Sequence, residues 1–400
     1  MHRSRRRSTV AIVAAFALAL TFAVDRPAEA RTSIPTASYI VQVDPALGPV
    51  AAVVDAAVAP LGGHVDQVFT KAINGAVVTL PVPALSQLLH VPGVVSVDPN
   101  GVMTIDGSQT GAPWGVDRID QRNLPLDSSY TWGPGDGQGV TAYVIDTGIR
   151  TTHSEFEGRA TSGFDAIDAL PADDCNGHGT HVSGTIGGKT YGVAKQVHLV
   201  AVRVLDCNGS GTNAQDIAGI DYVIGNHAAG APAVAHMSLG GSANSAIDTA
   251  INNLVNDGVT VAVAAGNDTA DACSTSPARV PNAITVAATD RNDAMASFSN
   301  GGTCVDIFGP GVDVLSSWNT DDNSTNTISG TSMATPHVAG VVARYLSSNT
   351  SASPAAVAAA LASRATTGKV TGTAKQCTLL FFGCRPATPN PKLLYLSPSE

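Results

Sequence analysis

The chain has 400 residues, of which 44% are hydrophobic and 14% are charged, and its formal net charge at pH 7 is −10. This length suffices for one large domain and a smaller one, and the composition excludes an intrinsically disordered protein. The negative charge argues against a nucleic-acid-binding protein, which usually carries a basic surface.

The first 30 residues have the pattern of a secretory signal peptide. Four arginines within residues 3–7 precede an apolar run at 10–24, and Ala-Glu-Ala at 28–30 fits a small-x-small cleavage site. An uncleaved anchor is the alternative, but the run is short for a bilayer span. We therefore expect a secreted, extracellular protein that has no membrane attachment after signal removal and that can form disulfides.

Residues 31–106 are predicted to form a small separate domain with the order βαββαβ, a ferredoxin-like α+β pattern. The predicted strands and helices are Tyr39–Val43, Val50–Ala59 (helix), Val65–Phe69, Gly75–Leu80, Ala84–Leu89 (helix) and Val94–Val97. This segment contains no cysteine and no obvious catalytic cluster, so by itself it indicates only a small α/β domain.

Residues 107–400 are predicted to form an α/β domain with a doubly wound, mostly parallel sheet flanked by helices. Apolar strands alternate with helical stretches, which is typical of a sheet that is buried on both faces. The predicted strands are Val140–Ile145, Leu199–Leu205, Ala233–Leu239, Val259–Ala264 and Ile284–Ala288, with helices at Ala214–Ala228 and Ala246–Asp257. Sheets of this kind place their sites outside the carboxyl ends of the strands.

Ser332 is the candidate nucleophile. It lies in a Gly-Thr-Ser turn that leads into an apolar run with helical character, Val338–Leu346. A hydroxyl at a helix start could attack a carbonyl while the unpaired backbone N–H groups hold the oxyanion. Because an isolated serine at such a position is more often a helix cap, the assignment depends on other residues.

Three further polar residues complete a candidate site. Asp146 and Asn267 follow predicted strands, and His178 stands between two glycines at a predicted helix start. Ser332, His178 and Asp146 would supply a nucleophile, a general base and an orienting carboxylate, and Asn267 could donate its amide to the oxyanion. An aspartic protease would need a second Asp-Thr-Gly motif, and the sequence has none.

The chain order Asp, His, Asn, Ser resembles that of the subtilisin-like serine proteases. The resemblance runs from about Ala112 to Leu396, and within the family it is closest to the proteinase K group, in particular to aqualysin-type secreted members. The segments that carry it are Ala112–Gly115, Val144–Ile149, Asn176–His181 and Gly330–His337.

By this resemblance, Asp146, His178 and Ser332 are the catalytic triad, with Asn267 and the backbone N–H of Ser332 as oxyanion donors. The implied activity is that of a secreted serine endopeptidase that works through an acyl-enzyme. The alternatives are an esterase and a proteolytically inactive subtilisin-fold binding module, which the four filled catalytic positions argue against.

The resemblance also implies the residues that bind substrate. Two chain edges would hold the peptide as an added strand, and a third segment would wall the primary specificity pocket. These residues are Gly209, Ser210 and Gly211, then Ser238, Leu239 and Gly240, and for the pocket Ala264, Ala265 and Gly266. Since no charge occurs in these segments, we expect broad specificity with a preference for apolar or aromatic side chains.

The domain at 31–106 resembles the inhibitor-type propeptide of this family. The resemblance implies that it templates folding, blocks the site and is removed by the enzyme itself near Asp106–Gly107, whereas a plain accessory domain is the alternative. The expected partners are protein and peptide substrates and this propeptide, with no nucleic acid, and the protein is expected to be a monomer.

Two disulfides, Cys175–Cys207 and Cys273–Cys304, are implied by the resemblance. Cys377 and Cys384 then remain, seven apart, and are expected to form a third across a hairpin.

Structural Ca²⁺ with no catalytic cofactor is implied as well. One site would join the carbonyls of Pro281 and Ala283 with Asp306, and a second would comprise Asp117, Asp120, Gln121 and Asp127. A third acidic group, Asp165, Asp168, Asp173 and Asp174, is interpreted as solvated surface, and His153, His181 and His337 as structural.

Overall fold

A computed structural model of the chain describes residues 35–100, 107–133, 135–377 and 384–397. The predicted signal peptide lies outside these residues. The chain divides into two compact units, Met1–Val102 and Met103–Glu400, and each is described by itself.

The first unit has the predicted order of strands and helices. Its elements are β1 (Thr36–Val43), α1 (Val50–Val58), β2 (His64–Phe69), β3 (Gly75–Pro81), α2 (Leu85–Leu88) and β4 (Val94–Pro99). The strands form an antiparallel sheet in the order β2-β3-β1-β4, which is the ferredoxin-like arrangement. Alternate residues of β1 point into a core with α1, where Val41 and Val54 are fully buried.

Within the described residues, the second unit has one nine-stranded sheet and four two-stranded sheets. Its elements are β5 (Gly107–Thr110), α3 (Trp114–Ile119), β6 (Ser129–Trp132), β7 (Thr141–Asp146), β8 (Ala160–Asp165), α4 (His178–Gly187), β9 (His198–Arg203), α5 (Asn213–Asn226), β10 (Ala233–Met237), β11 (Gly241–Ser242), α6 (Ser245–Asn256), β12 (Thr260–Ala264), β13 (Thr275–Ser276), β14 (Ile284–Thr289), β15 (Ile307–Pro310), β16 (Val314–Ser317), β17 (Thr325–Ile328), α7 (Thr331–Ser348), α8 (Pro354–Arg364), β18 (Thr366–Thr367), β19 (Gln376–Cys377), β20 (Cys384–Arg385) and β21 (Lys392–Leu393).

The central sheet of this unit is doubly wound, as predicted. Its strand order is β18-β21-β15-β14-β12-β10-β7-β9-β8, and every pair is parallel except β18–β21. From β7 the chain passes to the edge strand β8, returns to β9 between β7 and β8, and then crosses to β10 on the other side of β7. The strand order therefore reverses between β7 and β10, which is where sheets of this type bind ligands.

Both faces of the sheet are covered, which explains why its strands are nearly continuous apolar runs. Along β7, Val144 packs into the core with α4 and α7, while the next residue, Ile145, packs into a second core with α5 and α6. Both side chains are fully buried. Among the described residues, no helix is both long and apolar enough to cross a bilayer.

Candidate active site

Four element ends bring the predicted catalytic residues to one edge of the sheet. Asp146 is the last residue of β7, His178 is the first residue of α4, Asn267 follows β12, and Ser332 is the second residue of α7. Since parallel strands all present their carboxyl ends at the same edge, the fold itself accounts for this grouping.

Asp146 and His178 form a hydrogen-bonded pair. The Nδ1 of His178 lies 2.8 Å from Oδ1 and 3.0 Å from Oδ2 of Asp146, whose Oδ1 also accepts from the backbone N–H of Thr147 at 2.7 Å. The Asp146 side chain is fully buried, whereas that of His178 is 24% exposed. The carboxylate can thus orient the ring while the ring still faces the groove.

The pair shifts both pKa values toward the charged forms. Burial by itself raises the pKa of Asp146, but the charge and hydrogen bond of His178 outweigh it and hold that pKa below its ordinary value. Burial likewise lowers the pKa of His178, but the charge and hydrogen bond of Asp146 outweigh it and raise the pKa. The imidazolium that forms when this ring takes a proton is therefore stabilised.

The turn before α4 is held by Asp174, which the sequence analysis interpreted as solvated surface. That interpretation was wrong: its carboxylate accepts from the backbone N–H groups of Asn176, Gly177 and Thr180 at 2.8–2.9 Å, and from the hydroxyl of Thr147 at 2.9 Å. An aspartate just before a helix start is a capping signal that could have identified this role. Asp174 thus ties the residue after Asp146 to the loop that carries His178.

Asp165 in the same acidic group is also not solvated. It is buried, and it pairs with Arg203 at 2.9 Å, with side-chain exposures of 0% and 7%. The two residues are 38 positions apart and lie on the neighbouring strands β8 and β9. The sequence pattern alone offered no sign of this pairing.

The glycine between His178 and Thr180 is required by a close approach. A Cβ at Gly179 would lie 2.1 Å from the carbonyl oxygen of Gly148, so a side chain here would push the helix away from the Asp-Thr-Gly turn. Gly177 has φ of +111°, a conformation that glycine adopts at little cost. The Gly-His-Gly sequence therefore lets α4 begin directly against the end of β7.

The backbone carbonyl of Ser332 accepts a hydrogen bond from a residue outside its own helix. Pro336 has no N–H, so the carbonyl of Ser332, four residues earlier, lacks its usual helical donor. The hydroxyl of Ser238 donates to that carbonyl instead, at 3.0 Å. The Oγ of Ser332 donates to the Ser238 carbonyl at a long 3.4 Å, so this hydroxyl is only weakly engaged and is not bonded to His178 in this state.

The side-chain amide of Asn267 has its orientation fixed by Thr331, a residue that the sequence analysis did not single out. Its Oδ1 accepts from the backbone N–H of Thr331 at 2.8 Å and from the Thr331 hydroxyl at 3.0 Å. That hydroxyl in turn accepts from the N–H of Gly266 at 3.1 Å. The amide nitrogen of Asn267 is thereby left to donate elsewhere. This nitrogen lies near the backbone nitrogen of Ser332, since a Cβ built on Gly330 would be 3.6 Å from each of them.

Two cavities flank these residues. One, of about 560 Å³, is lined by Ser238–Ser242, Ala264, Gly266, Asn267 and Ser332, with the exposed Asp268 also on its wall. The other, of about 520 Å³, is lined by His178, Gly209–Gly211 and Ser238–Gly241. The shared segment Ser238–Gly241 makes them neighbouring parts of one groove.

One expected pocket residue does not line this groove. Ala265 is fully buried and packs in a separate small core with Ala287 and Phe308. Because successive side chains of an extended segment point in opposite directions, Ala264 faces the groove and its neighbour faces away.

The three disulfides have the expected pairings: Cys175–Cys207, Cys273–Cys304 and Cys377–Cys384. The first joins the loop before His178 to the loop that precedes Gly209, and so braces two parts of the groove against each other. The third closes the short antiparallel pair β19–β20, and the residues between its cysteines, 378–383, lie outside the described part of the chain.

Three further buried histidines have structural surroundings. His181 lies 3.1 Å from the Val314 carbonyl, and His337 lies 2.8 Å from that of Met333; burial lowers the pKa of each to about 4. His236 on β10 is fully buried, has no hydrogen-bond partner for either ring nitrogen in the described structure, and has its pKa lowered by burial to about 3. All three rings are therefore neutral at neutral pH.

The residues expected to bind calcium form two groups. Pro281, Ala283 and Asp306 line one cavity of about 290 Å³. In the other group, burial and the charges of Asp117 and Asp127 raise the pKa of Asp120 to about 7. Within the described residues, no three His, Cys, Asp or Glu side chains lie close enough to hold a metal ion by themselves, so either site would depend on carbonyl oxygens.

A serine near a helix start and a histidine paired with a buried aspartate, at the same edge of a doubly wound sheet, are the arrangement of a serine hydrolase. Residues 137–378, more than half of the chain, match the model of Peptidase_S8, the subtilase family. The chain belongs to this family, and it is a serine endopeptidase.

Named relatives are similar over most of the chain. An extracellular serine proteinase of Thermus sp. (strain Rt41A) is 56% identical over 75% of this chain and 73% of its own length. Alkaline serine exoprotease A of Vibrio alginolyticus is 53% identical over 78% of this chain and 58% of its own. A crystal structure of a cold adapted subtilisin-like serine proteinase matches with a TM-score of 0.65 and 52% identity, over 72% of this chain and 98% of the other.

Proposed function

We propose that the chain is a secreted serine endopeptidase in which Ser332 is the nucleophile, His178 the general base and Asp146 the residue that orients it. The observation that carries the proposal is the hydrogen bond between the buried Asp146 and His178, at the edge of the sheet where α7 starts and has Ser332 as its second residue. Family membership and relatives named as serine proteinases support it.

In the first step, the Oγ of Ser332 attacks the carbonyl carbon of the scissile bond while His178 takes its proton through Nε2. The weak 3.4 Å contact of this hydroxyl with Ser238 leaves it free to rotate toward the ring when a peptide binds. Asp146 holds the ring as the Nδ1–H tautomer and stabilises the positive charge that develops on it.

The oxyanion that forms accepts hydrogen bonds from the amide nitrogen of Asn267 and from the backbone N–H of Ser332. Collapse of this intermediate breaks the C–N bond, and His178 returns the proton to the leaving amine. Water, activated by the same imidazole, then hydrolyses the Ser332 ester and releases the acid product. No step uses a cofactor.

Substrate is proposed to lie as an extended strand between Gly209–Gly211 and Ser238–Gly240. Backbone hydrogen bonds on two sides suit many sequences, so broad specificity follows. The cavity beside Ser332 has alanine and glycine walls at Ala264 and Gly266, which favours apolar or aromatic side chains. The carboxylate of Asp268 on this cavity is exposed, so water screens its charge.

We further propose that residues 31–106 are the propeptide, which acts as intramolecular chaperone and inhibitor and is removed near Asp106–Gly107. The support is a separate compact unit with a ferredoxin-like sheet that precedes the peptidase unit in the chain. Secretion is proposed on the leader pattern at residues 1–30 and on relatives named as extracellular. The active protein is proposed to be a monomer.

Calcium is proposed to stabilise the fold. Oδ1 of Asp117 is buried without a hydrogen-bond partner, and burial, with the charge of Asp127, raises the pKa of this carboxyl. A cation bound by Asp117, Asp120 and carbonyl oxygens would give Oδ1 of Asp117 a partner and would lower the pKa of this carboxyl. Gln121 could contribute only its side-chain oxygen, since its nitrogen donates to two backbone carbonyls. The cavity of Pro281, Ala283 and Asp306 offers the second oxygen-lined site.

The test follows intact mass against time for residues 31–400, for a Ser332→Ala variant, and for a Ser329→Ala control, with casein in parallel tubes. Ser329 is an exposed serine of the same turn, whose hydroxyl accepts from the backbone N–H of Asp313 and donates to the carboxylate of the same residue. We expect the parent and the control to lose about 76 residues, as the 31–106 boundaries imply, and then to degrade casein.

The Ser332→Ala variant should stay at full length and leave casein intact. If all three proteins remain intact while circular dichroism shows that they are folded, the protease assignment is wrong and the binding-module alternative gains support. If Ser332→Ala still cleaves casein, another residue is the nucleophile.

A further inference from the structure

Asp216, in the first turn of α5, has a carboxylate that the fold does not use. The start of this helix is capped by Thr212 and Gln215, whose side chains each bond the other's backbone N–H. Asp216 makes no ion pair with any described residue, and its Oδ1 is buried without a hydrogen-bond partner. A hidden, unsatisfied carboxylate oxygen is costly to the folded state and calls for an explanation.

This carboxylate lies on the wall of the substrate groove. It lines the cavity of about 520 Å³ together with His178, Gly209–Gly211 and Ser238–Gly241. Among the described lining residues, the only other titratable group is His178, and no lysine or arginine is present. The negative charge of Asp216 is therefore unopposed on this stretch of the groove.

Burial raises the pKa of Asp216 to about 6, and no hydrogen bond or cation opposes the shift. At the neutral to alkaline pH at which a neutral His178 can act as base, the carboxylate is charged. A cationic group that enters the cavity would be attracted by this carboxylate, and no lysine or arginine among the described residues of the cavity wall competes for it.

The geometry of an extended peptide decides which side chain reaches this cavity. The Ser332 cavity and the Asp216 cavity share the edge Ser238–Gly241, and successive side chains of a strand point to opposite faces. If one side chain occupies the first cavity, the side chains one and three residues away from it face the other way.

We propose that Asp216 is a specificity-determining residue that selects lysine or arginine one or three residues before the residue whose side chain fills the Ser332 cavity. The inference rests on the proposed function for the placement of the peptide. It adds a charge preference that the uncharged segments 209–211, 238–240 and 264–266 did not predict.

The test uses a peptide series with one fixed aromatic residue at the cleavage position and with lysine, norleucine or glutamate at each of the four preceding positions. Norleucine has nearly the length of lysine without its charge. We expect kcat/KM to be about tenfold higher for lysine than for norleucine at the first or the third position before the fixed aromatic residue. Asp216→Asn, which keeps the shape of the side chain, should bring this ratio close to one.

The matched control is Asp221→Asn, which removes the same charge from an exposed position five residues along α5. It should leave the lysine-to-norleucine ratio unchanged. The proposal would be overturned if Asp216→Asn and Asp221→Asn changed the lysine-to-norleucine ratio equally. It would also be overturned if the parent showed no lysine preference at any of the four positions.

Binding of the same peptides to the Ser332→Ala variant, followed by fluorescence anisotropy, separates this inference from the proposed function. If the parent protein cleaves no peptide but its Ser332→Ala form still binds the lysine peptide more tightly than the norleucine peptide, the endopeptidase mechanism fails and the cationic subsite stands. If cleavage proceeds and neither assay discriminates, the subsite alone is refuted.

Discussion

The substitution Gly330→Ala tests where the oxyanion is held. Gly330 precedes α7 with φ of 165° and ψ of 164°, an extended conformation that any residue can adopt. A Cβ built there lies 3.6 Å from the amide nitrogen of Asn267, 3.6 Å from the backbone nitrogen of Ser332 and 3.7 Å from the sulfur of Met333. These are ordinary van der Waals distances, so we expect the variant to fold.

The new methyl group would nevertheless touch both proposed oxyanion donors. An oxygen that accepts from both nitrogens must lie about 2.7–3.1 Å from each, and the methyl carbon competes for that space. Removal of one such donor lowers kcat by about 10²–10³, or about 2.7–4 kcal/mol. We expect a loss of at least this size in Gly330→Ala, with a much smaller change in KM, because the oxyanion exists only during reaction.

The assay measures kcat and KM on a chromogenic peptide, after a trace of tagged wild-type enzyme has matured the variant and been removed. Melting temperatures are compared in the Ser332→Ala background, where self-digestion is absent. The control is Gly225→Ala near the end of α5, where a Cβ has no atom within 4 Å. It should keep full activity and gain about 0.5–1 kcal/mol from the loss of glycine's flexibility.

Retention of kcat within threefold of the parent would refute the reasoning, since the oxyanion could not then lie between these two nitrogens. A large fall in melting temperature would instead show that residue 330 is restricted by packing. The second outcome would contradict the van der Waals distances given above.

Three further predictions concern the charged groups. Asp146→Asn should lower kcat by about 10⁴. Because Asp146 raises the pKa of His178, activity of the parent should fall as the pH drops through a value above about 6.5. In pH–rate profiles of the variant, this fall in activity should occur at lower pH. The side chain of Asp293 is 6% exposed and lies 2.7 Å from the guanidinium of Arg118. Arg118→Met should destabilise the fold by about 3–5 kcal/mol in urea unfolding, because it leaves the Asp293 carboxylate buried without a partner. An equal loss of stability in the double variant with Asp293→Leu would contradict this account. EDTA should speed thermal inactivation of the parent without lowering kcat at low temperature. Its effect should be smaller on Asp117→Asn, which keeps only the proposed site at Asp306. An inactivation rate that does not change with EDTA in the parent would exclude structural calcium.

The strands of the peptidase unit could be predicted because they are apolar for most of their length. The predicted Val140–Ile145 is β7 at Thr141–Asp146, and the predicted Val259–Ala264 is β12 at Thr260–Ala264. Burial on both faces leaves little room for polar residues inside these strands, so polar residues mark their ends. The positions of Asp146 and Asn267 followed from that pattern.

Pairings between distant segments could not be predicted in the same way. Asp165 was interpreted as solvated, yet it pairs with Arg203, and Thr331 fixes the amide of Asn267 across 64 positions. A charged or hydroxyl residue has the same local signature whether it faces water or a partner. Only the path of the chain decides which of these it meets.

By itself, the sequence determined the order of elements, the doubly wound class of sheet and the four polar residues at its carboxyl edge, because these depend on local periodicity and on strand direction. Tertiary structure alone decided that Ala264 faces the groove while Ala265 is buried, and that Ser238 supplies the hydrogen bond that Pro336 cannot. It also decided that Asp216 and His178 line the same cavity. These features depend on register and on contacts between residues far apart in the chain, and no local pattern encodes them.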